Sequence, residues 1–386
     1  MRIAICAPVS LLTLTSSQAN TPFKTEGLSS SIVTELALEL HRRGHDLHVV
    51  TLSPDPRDVG TSRSDRLQVD VGFYRPRARS RALDLFREER SSLSEALANV
   101  DHDIIHAHWS YEFALAALQV DPESLITLHD WAPSILRQQR TVYRSLRLVM
   151  SNRAVSRAGH LSAVSPYVQS RAERRIDRPV HLVPNGISFT PNSDSQRPLS
   201  AAPVIGALNS GFGSRKNVMA LLRAFAMVLE QQPDARLQLA GPGYEPSGPA
   251  ERWATQRGLE TAVDFLGPIP HGHVPKFMRG LDLFAHPSLE ESFGLVLLEA
   301  MRESIPVVAG AQSGGVPWVL DSGKAGVLTD VQDPAQLCKS ILGILGDRET
   351  ARIIGMQGRE SCIDRFSLDR VTSQYEHLYA EIVRQR

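Results

Sequence analysis

Cysteine is scarce in this 386-residue chain, and its three copies, Cys6, Cys338 and Cys362, are scattered without metal-ligand spacing. That excludes a disulfide framework and reads as small buried hydrophobes in a reducing compartment. Long apolar runs are missing as well. No stretch approaches the roughly 20 residues a helix needs to span a bilayer. Residues 1–9 are too short a run for an export signal and lack a small-residue cleavage site. The expected location is cytoplasmic, with peripheral contact at the inner membrane face left open. Charge of one sign is absent too: 42 Lys and Arg balance 42 Asp and Glu, so no global field points to nucleic acid. No Gly-x-Gly-x-x-Gly opens a helix, which removes the dinucleotide fingerprint of a dehydrogenase.

What is present is an ordinary soluble composition, 42% hydrophobic and 22% charged, at a length that suits two domains. Residues 1–9 read as a buried first strand, and residues 10–24 as too rich in Ser and Thr to be core. An amphipathic helix over 32–40 stops at Arg43-Gly44-His45, and a second strand covers 47–52, a βαβ opening of a parallel sheet. Asp103-Ile104-Ile105-His106-Ala107-His108-Trp109 is a strand whose two histidines share a face. No carboxylate or cysteine cluster nearby in sequence completes a metal site around them. Leu125-Ile126-Thr127-Leu128-His129-Asp130 is another strand, with His129 at the carboxyl end where open α/β sheets bind ligands.

Arg137, Arg140, Arg144 and Arg147 recur at spacings of three and four, predicting one basic helical face. No acid interrupts residues 131–172. Such a face is either solvated or docks on anionic lipid or a phosphorylated acceptor. A second run, Arg75, Arg77, Arg79, Arg81, Arg87 and Arg90, could add to it. Residues 188–203, rich in Ser and Pro, read as a linker. After it a second α/β domain starts with a strand at 204–208. A Gly- and Ser-rich loop follows, carrying Arg215 and Lys216 ahead of an amphipathic helix. Cations in a loop at a helix start suit a diphosphate.

One stretch organises the rest: Phe284-Ala285-His286-Pro287-Ser288-Leu289-Glu290-Glu291-Ser292-Phe293-Gly294-Leu295-Val296-Leu297-Leu298-Glu299-Ala300-Met301. It reads as a strand end, a turn with two acids, a Ser-Phe-Gly bend and an apolar helix. A helix start gathers unpaired N–H groups and the positive end of a macrodipole, a site for phosphate. Glu291 sits just before the bend, and Glu299 lies about two turns beyond Glu291. An anion-binding turn flanked by carboxylates suits a ligand with phosphates and hydroxyls, such as a nucleotide sugar. The plainer alternative is that these acids are solvated helix-start charges.

With the strand at 305–308 and Ser313-Gly314-Gly315 that follow, this order resembles the donor-site signature of the family 4 retaining glycosyltransferases (glycosyltransferase group 1). The Pro184-Asn185-Gly186 turn and the Asp-apolar-apolar-His-x-His segment are similar to that family too. The resemblance implies an α/β, GT-B fold of two Rossmann-like domains with a cleft between them. The implied domains are an acceptor-side domain 1–190, a linker 191–203, a nucleotide-sugar domain 204–364, and a final helix 365–386 returning to the first domain. The implied activity is retaining, metal-independent transfer of a hexosyl group from a nucleotide-diphosphate sugar to a hydroxyl acceptor. No cofactor, metal or nucleic acid partner is expected. The alternatives are a non-catalytic sugar-nucleotide-binding protein and a GT-B sugar-nucleotide epimerase.

By the same resemblance, His129 and Glu291 are catalytic candidates, with Glu291 toward the sugar hydroxyls. Gly27, Arg215, Lys216, Ser292, Phe293, Gly294 and Leu295 are donor-binding candidates, and Glu299 accepts from the ribose. The loop Pro268-Ile269-Pro270-His271 corresponds to the one that holds the nucleobase. Three family positions differ here. One glycine of a pair at Gly27 is missing, Ala207 stands where the family has an arginine, and Trp318 where it has a glutamate.

Overall fold

The computed structural model describes residues 1–16, 21–189 and 202–386. They form two compact units, 1–188 with 368–386, and 189–367. The expected linker 191–203 lies outside the described residues except at its last two positions.

The first unit contains β1 (Arg2–Cys6), β2 (Asp46–Ser53), β3 (Gly60–Ser64), β4 (Leu67–Phe73), β5 (Ile104–His108), β6 (Leu125–Leu128), β7 (His160–Ala163) and β8 (His181–Leu182). Their order across the sheet is β3-β4-β2-β1-β5-β6-β7-β8, parallel except for β3. Ile3, Ala4, Ile5 and Cys6 are all fully buried, because helices cover both faces of a parallel sheet and favour continuous apolar strands. The helix Ser31–Arg42 turns Val33, Leu36, Ala37 and Leu40 inward, and Gly44 after it has φ +93°.

After the second unit the chain returns at Leu368. The helix Leu368–Gln385 buries Val371, Tyr375, Leu378, Tyr379 and Ile382 in the same core as Ile3, Ile5 and Val33. Arg43 fastens it, reaching Glu376 at 2.5 Å, Asp369 at 2.6 Å and Ser373 at 2.9 Å.

Two expectations are corrected here. The Ser- and Thr-rich stretch after β1 is not outside the core: Leu11, Leu14, Thr15 and Phe23 are buried. A short helix, Leu11–Leu14, buries Leu11 and Leu14 and packs Leu12 partly against the same core, so a few apolar residues suffice to anchor a polar segment. The four arginines also do not share one helix face. Ala132–Gln138 and Val142–Arg157 are separate helices, because Thr141 caps the second by accepting from the Arg144 N–H. Arg147 turns inward, pairing with Glu112 and lying 3.6 Å over the Tyr111 ring. The earlier arginine run is likewise partly internal. Arg75 pairs with Asp84 and Glu89 at 2.9 and 2.7 Å, and Arg81 is buried over Tyr74.

The second unit contains β9 (Val204–Leu208), β10 (Arg236–Ala240), β11 (Val263–Gly267), β12 (Leu283–His286), β13 (Val307–Gly310) and β14 (Val327–Thr329). They run parallel in the order β11-β10-β9-β12-β13-β14. Helix Val218–Leu229 buries seven residues against this sheet, and its core continues through Leu337 and Ile341. Helix Arg348–Phe366 carries a buried stripe through Ala351, Gly355, Gly358, Cys362 and Phe366.

Candidate active site

The turn between β12 and the helix Leu295–Arg302 is held from behind by the segment after β13. Ser313 Oγ donates to the Ser288 carbonyl at 2.6 Å, and the Gly315 N–H donates to the Glu291 carbonyl at 2.8 Å. This approach explains Gly314-Gly315. A Cβ on Gly314 would lie 2.3 Å from the Glu291 carbonyl oxygen, and one on Gly315 2.4 Å from that of Ser292. Gly314 also has φ +66°. Gly294, with φ +94°, forms the left-handed entry to the helix, and Phe293 beside it is buried.

Charge gathers at Glu291. Lys216 Nζ donates to Glu291 Oε1 at 2.5 Å, Arg215 lies 3.6 Å from Oε2, and His286 Nε2 lies 3.4 Å from Oε1. Arg215 also donates to the Glu290 carbonyl at 3.2 Å, and its own carbonyl accepts from the Leu289 N–H at 2.8 Å. The loop before helix Val218–Leu229 and the turn after β12 are thus tied together. Burial would raise the Glu291 carboxyl, but His286 and Lys216 outweigh it and hold the group well below the usual carboxylate range. Burial pulls the Lys216 ammonium down, opposed by Glu291. Ala207, at the family's arginine position, is 1% exposed inside β9, whereas Arg215 reaches the acidic turn.

Glu299 is buried in the second turn of its helix, with Oε1 3.6 Å from His271 Nδ1. The nucleobase-loop candidate and the ribose candidate are therefore neighbours. Trp318, the third departure, packs edge-on against Phe293 (6.1 Å between centroids) and Phe366 (5.4 Å). It buttresses the Ser292-Phe293-Gly294 bend, and Arg365 donates to its carbonyl at 2.8 Å. Sequence reasoning assigned no role to His286, although a histidine ending a buried strand before a Pro-Ser turn was the available signal.

In the first unit, Gly27 has φ +63° in the loop before helix Ser31–Arg42, and its N–H donates to Thr25 Oγ1. His129 follows β6, its Nε2 2.9 Å from His108 Nδ1 and its ring stacked on Trp109 at 4.3 Å. Burial pushes the His129 imidazole down to about 3, with the Asn185 side chain working against that shift. Asp130 beside it is pushed up by burial and opposed by the Tyr111 hydroxyl, which donates to it at 2.9 Å. Among the described residues no group of three or more His, Cys, Asp or Glu is arranged to hold a metal ion.

Two family models match the chain: Glycosyltransferase Family 4 over residues 29–190 and Glycosyl transferases group 1 over residues 206–361. The chain belongs to the group 1, family 4 glycosyltransferases. N-acetyl-alpha-D-glucosaminyl L-malate synthase of Bacillus anthracis is 26% identical over 94% of this chain and 96% of its own length. A D-inositol 3-phosphate glycosyltransferase of Corynebacterium diphtheriae is 26% identical over 90% of this chain and 88% of its own. Among solved structures, sucrose-phosphate synthase from Thermosynechococcus elongatus covers all of both chains at TM-score 0.78 and 22% identity. Anabaena HepE, solved with UDP and glucose, covers 99% of this chain and 100% of its own at TM-score 0.70 and 20% identity. These likenesses establish that the glycosyltransferase has the GT-B fold, two Rossmann-like units.

Proposed function

We propose that this glycosyltransferase takes a hexosyl group from a nucleoside diphosphate sugar and passes it to a hydroxyl acceptor with retention of anomeric configuration, without a divalent cation. The observation that supports this most is the cluster of Glu291, Lys216 and Arg215 at the start of helix Leu295–Arg302. A nucleoside diphosphate leaves with negative charge. Two cations and the N–H groups of a helix start are matched to that charge where a metal would otherwise be needed. The UDP and glucose held by HepE support a nucleotide-sugar donor.

Glu291, kept ionised, is an acceptor only and suits sugar hydroxyls. Glu299 is assigned to the ribose, beside the His271 loop for the base. His129 is assigned to an oxygen of the substrate. In the step itself, the acceptor oxygen bonds to the anomeric carbon on the face from which the diphosphate leaves. The acceptor proton passes to the departing phosphate oxygen.

Incubation with UDP-, GDP- and ADP-sugars and candidate acceptors tests the reading. Retained configuration by NMR and full activity in excess EDTA are expected. An inverted product, or EDTA inhibition reversed by Mg²⁺, would sink it. Epimerisation of the donor without acceptor would favour the epimerase alternative.

A second feature supports a peripheral role at an anionic membrane. Pro133, Leu136, Val142 and Leu148 line a shallow groove of about 600 Å³ with Arg137 and Arg140. Val142 is 78% exposed, an apolar side chain left in water beside cations. Among the described residues no helix is long and apolar enough to cross a membrane. In this reading the protein is cytoplasmic, with this groove resting on acidic headgroups.

A further inference from the structure

The face of β5 and β6 toward helix Leu368–Gln385 carries a ladder of polar side chains. The parallel register sets His108 opposite Thr127. His106 and His108 share one side of β5, and Thr127 and His129 follow at the same spacing on the next segment. His106 is fully satisfied: Nδ1 is 2.7 Å from the Tyr379 hydroxyl and Nε2 is 2.7 Å from Thr127 Oγ1. One step along, the His108 ring lies 4.0 Å from that of His106, and its Nδ1 is 2.9 Å from His129 Nε2. The two outer nitrogens of this pair, His108 Nε2 and His129 Nδ1, are withdrawn from solvent and meet no partner in hydrogen-bond geometry, although the Asn185 side chain reaches the His129 ring and favours its protonation.

Two neutral imidazoles joined by one hydrogen bond have two arrangements. If His129 donates, His108 must carry its remaining proton on Nε2, an N–H buried beside the His106 ring with nothing to accept it. Orphaned buried N–H groups are the rarer and costlier kind. If His108 donates, its Nε2 is a bare lone pair, and the unmatched N–H moves to His129 Nδ1. That atom sits just past the carboxyl end of β6, where ligands of open α/β sheets bind. There the Asn185 side-chain oxygen can accept it, as can a ligand oxygen once the ring is uncovered.

We propose that His108 is a positioning residue: by donating from Nδ1 to His129 Nε2, it fixes His129 as the Nδ1–H tautomer and so makes it a hydrogen-bond donor to a substrate oxygen. His106, locked by Tyr379 and Thr127, is the platform against which His108 packs, so the returning C-terminal helix takes part in setting the tautomer. The inference deepens the reading above and rests on His129 meeting substrate.

The test is ¹⁵N NMR of the full-length protein labelled at histidine, with His129→Gln assigning the His129 signals. At neutral pH the wild-type His129 shows a protonated Nδ1 and a bare Nε2. In His108→Phe, which keeps an aromatic ring but has no nitrogen to donate, that preference is lost. A wild-type His129 protonated on Nε2, or an unchanged tautomer in His108→Phe, overturns the proposal. The wild-type spectrum alone decides should the variant not fold. In assays, His108→Phe lowers kcat at least tenfold with donor KM within twofold, and adds nothing to His129→Ala. Were the tautomers as stated but His129→Ala fully active, the pairing would stand and the substrate role of His129 would fall.

Discussion

Lys216 Nζ stands 2.5 Å from Glu291 Oε1, although 75 residues separate the two in sequence. Each is 13% exposed at the side chain. The pair welds the loop after β9 to the turn after β12, and either partner alone would be a buried charge. Lys216→Ala should therefore act twice. It should lower kcat by about 10²-fold through lost stabilisation of the leaving diphosphate. It should also destabilise the second unit by about 3 kcal/mol, because breaking a buried pair strands its partner. Steady-state kinetics and urea unfolding check the two effects separately.

The same pair gives a pH dependence of known sign. The folded Glu291 carboxyl is depressed below its unfolded value of about 4.3. Its contribution is fully present above that value and is lost as pH falls further toward the folded pKa. Unfolding at pH 7, 4 and 3 should show wild type losing more stability than Glu291→Gln across the acid steps. Equal losses would show that Glu291 is not the depressed group.

Gly314 tests the turn without touching a charge. With φ +66° and a prospective Cβ 2.3 Å from the Glu291 carbonyl oxygen, alanine cannot be accommodated unless the turn moves. Gly314→Ala should cost about 1–3 kcal/mol and displace the Glu291 backbone. The expected readout is a lower melting temperature together with at least tenfold lower kcat/KM. An unperturbed variant would mean the segment after β13 does not hold the turn.

Glu299 separates binding from chemistry. Glu299→Ala should raise donor KM about tenfold while leaving kcat within a few-fold, the pattern of lost uniform binding. His271, 3.6 Å away, should show a smaller effect of the same kind. Should the donor KM of Glu299→Ala match wild type, the ribose assignment is wrong.

For the groove, Arg137, Arg140 and Arg144 changed together to Ser should abolish co-sedimentation with phosphatidylglycerol vesicles at low salt. Arg147 is left out, since its guanidinium already pairs with Glu112. Binding that persists in the triple variant removes the membrane reading.

Much of the second unit was legible in the chain. Strand, His-Pro-Ser turn, acids, Ser-Phe-Gly bend and apolar helix follow one another locally, and Gly294 and the two later glycines mark their own backbone demands. The first unit was harder to read. Leu11, Leu12 and Leu14 are a short apolar run within a polar stretch, too brief for a periodic signal. The arginine spacing that suggested one face ignored Thr141, a cap that starts a new helix. Nor could periodicity show that Arg75, Arg81 and Arg147 turn inward, because Asp84, Glu89, Tyr74 and Glu112 meet them through folding.

The sequence by itself determined the alternation of strands and helices, the strand-end positions of His129 and of the turn 287–294, and the residue types at each. Those follow from local periodicity and backbone sterics. Only the tertiary structure decided that Lys216 and Arg215 meet Glu291, that Trp318 braces Phe293, and that His108 reaches His129. Those contacts depend on parallel strand order and register, which bring distant loops together at the carboxyl ends of neighbouring strands in each sheet and which local pattern does not encode.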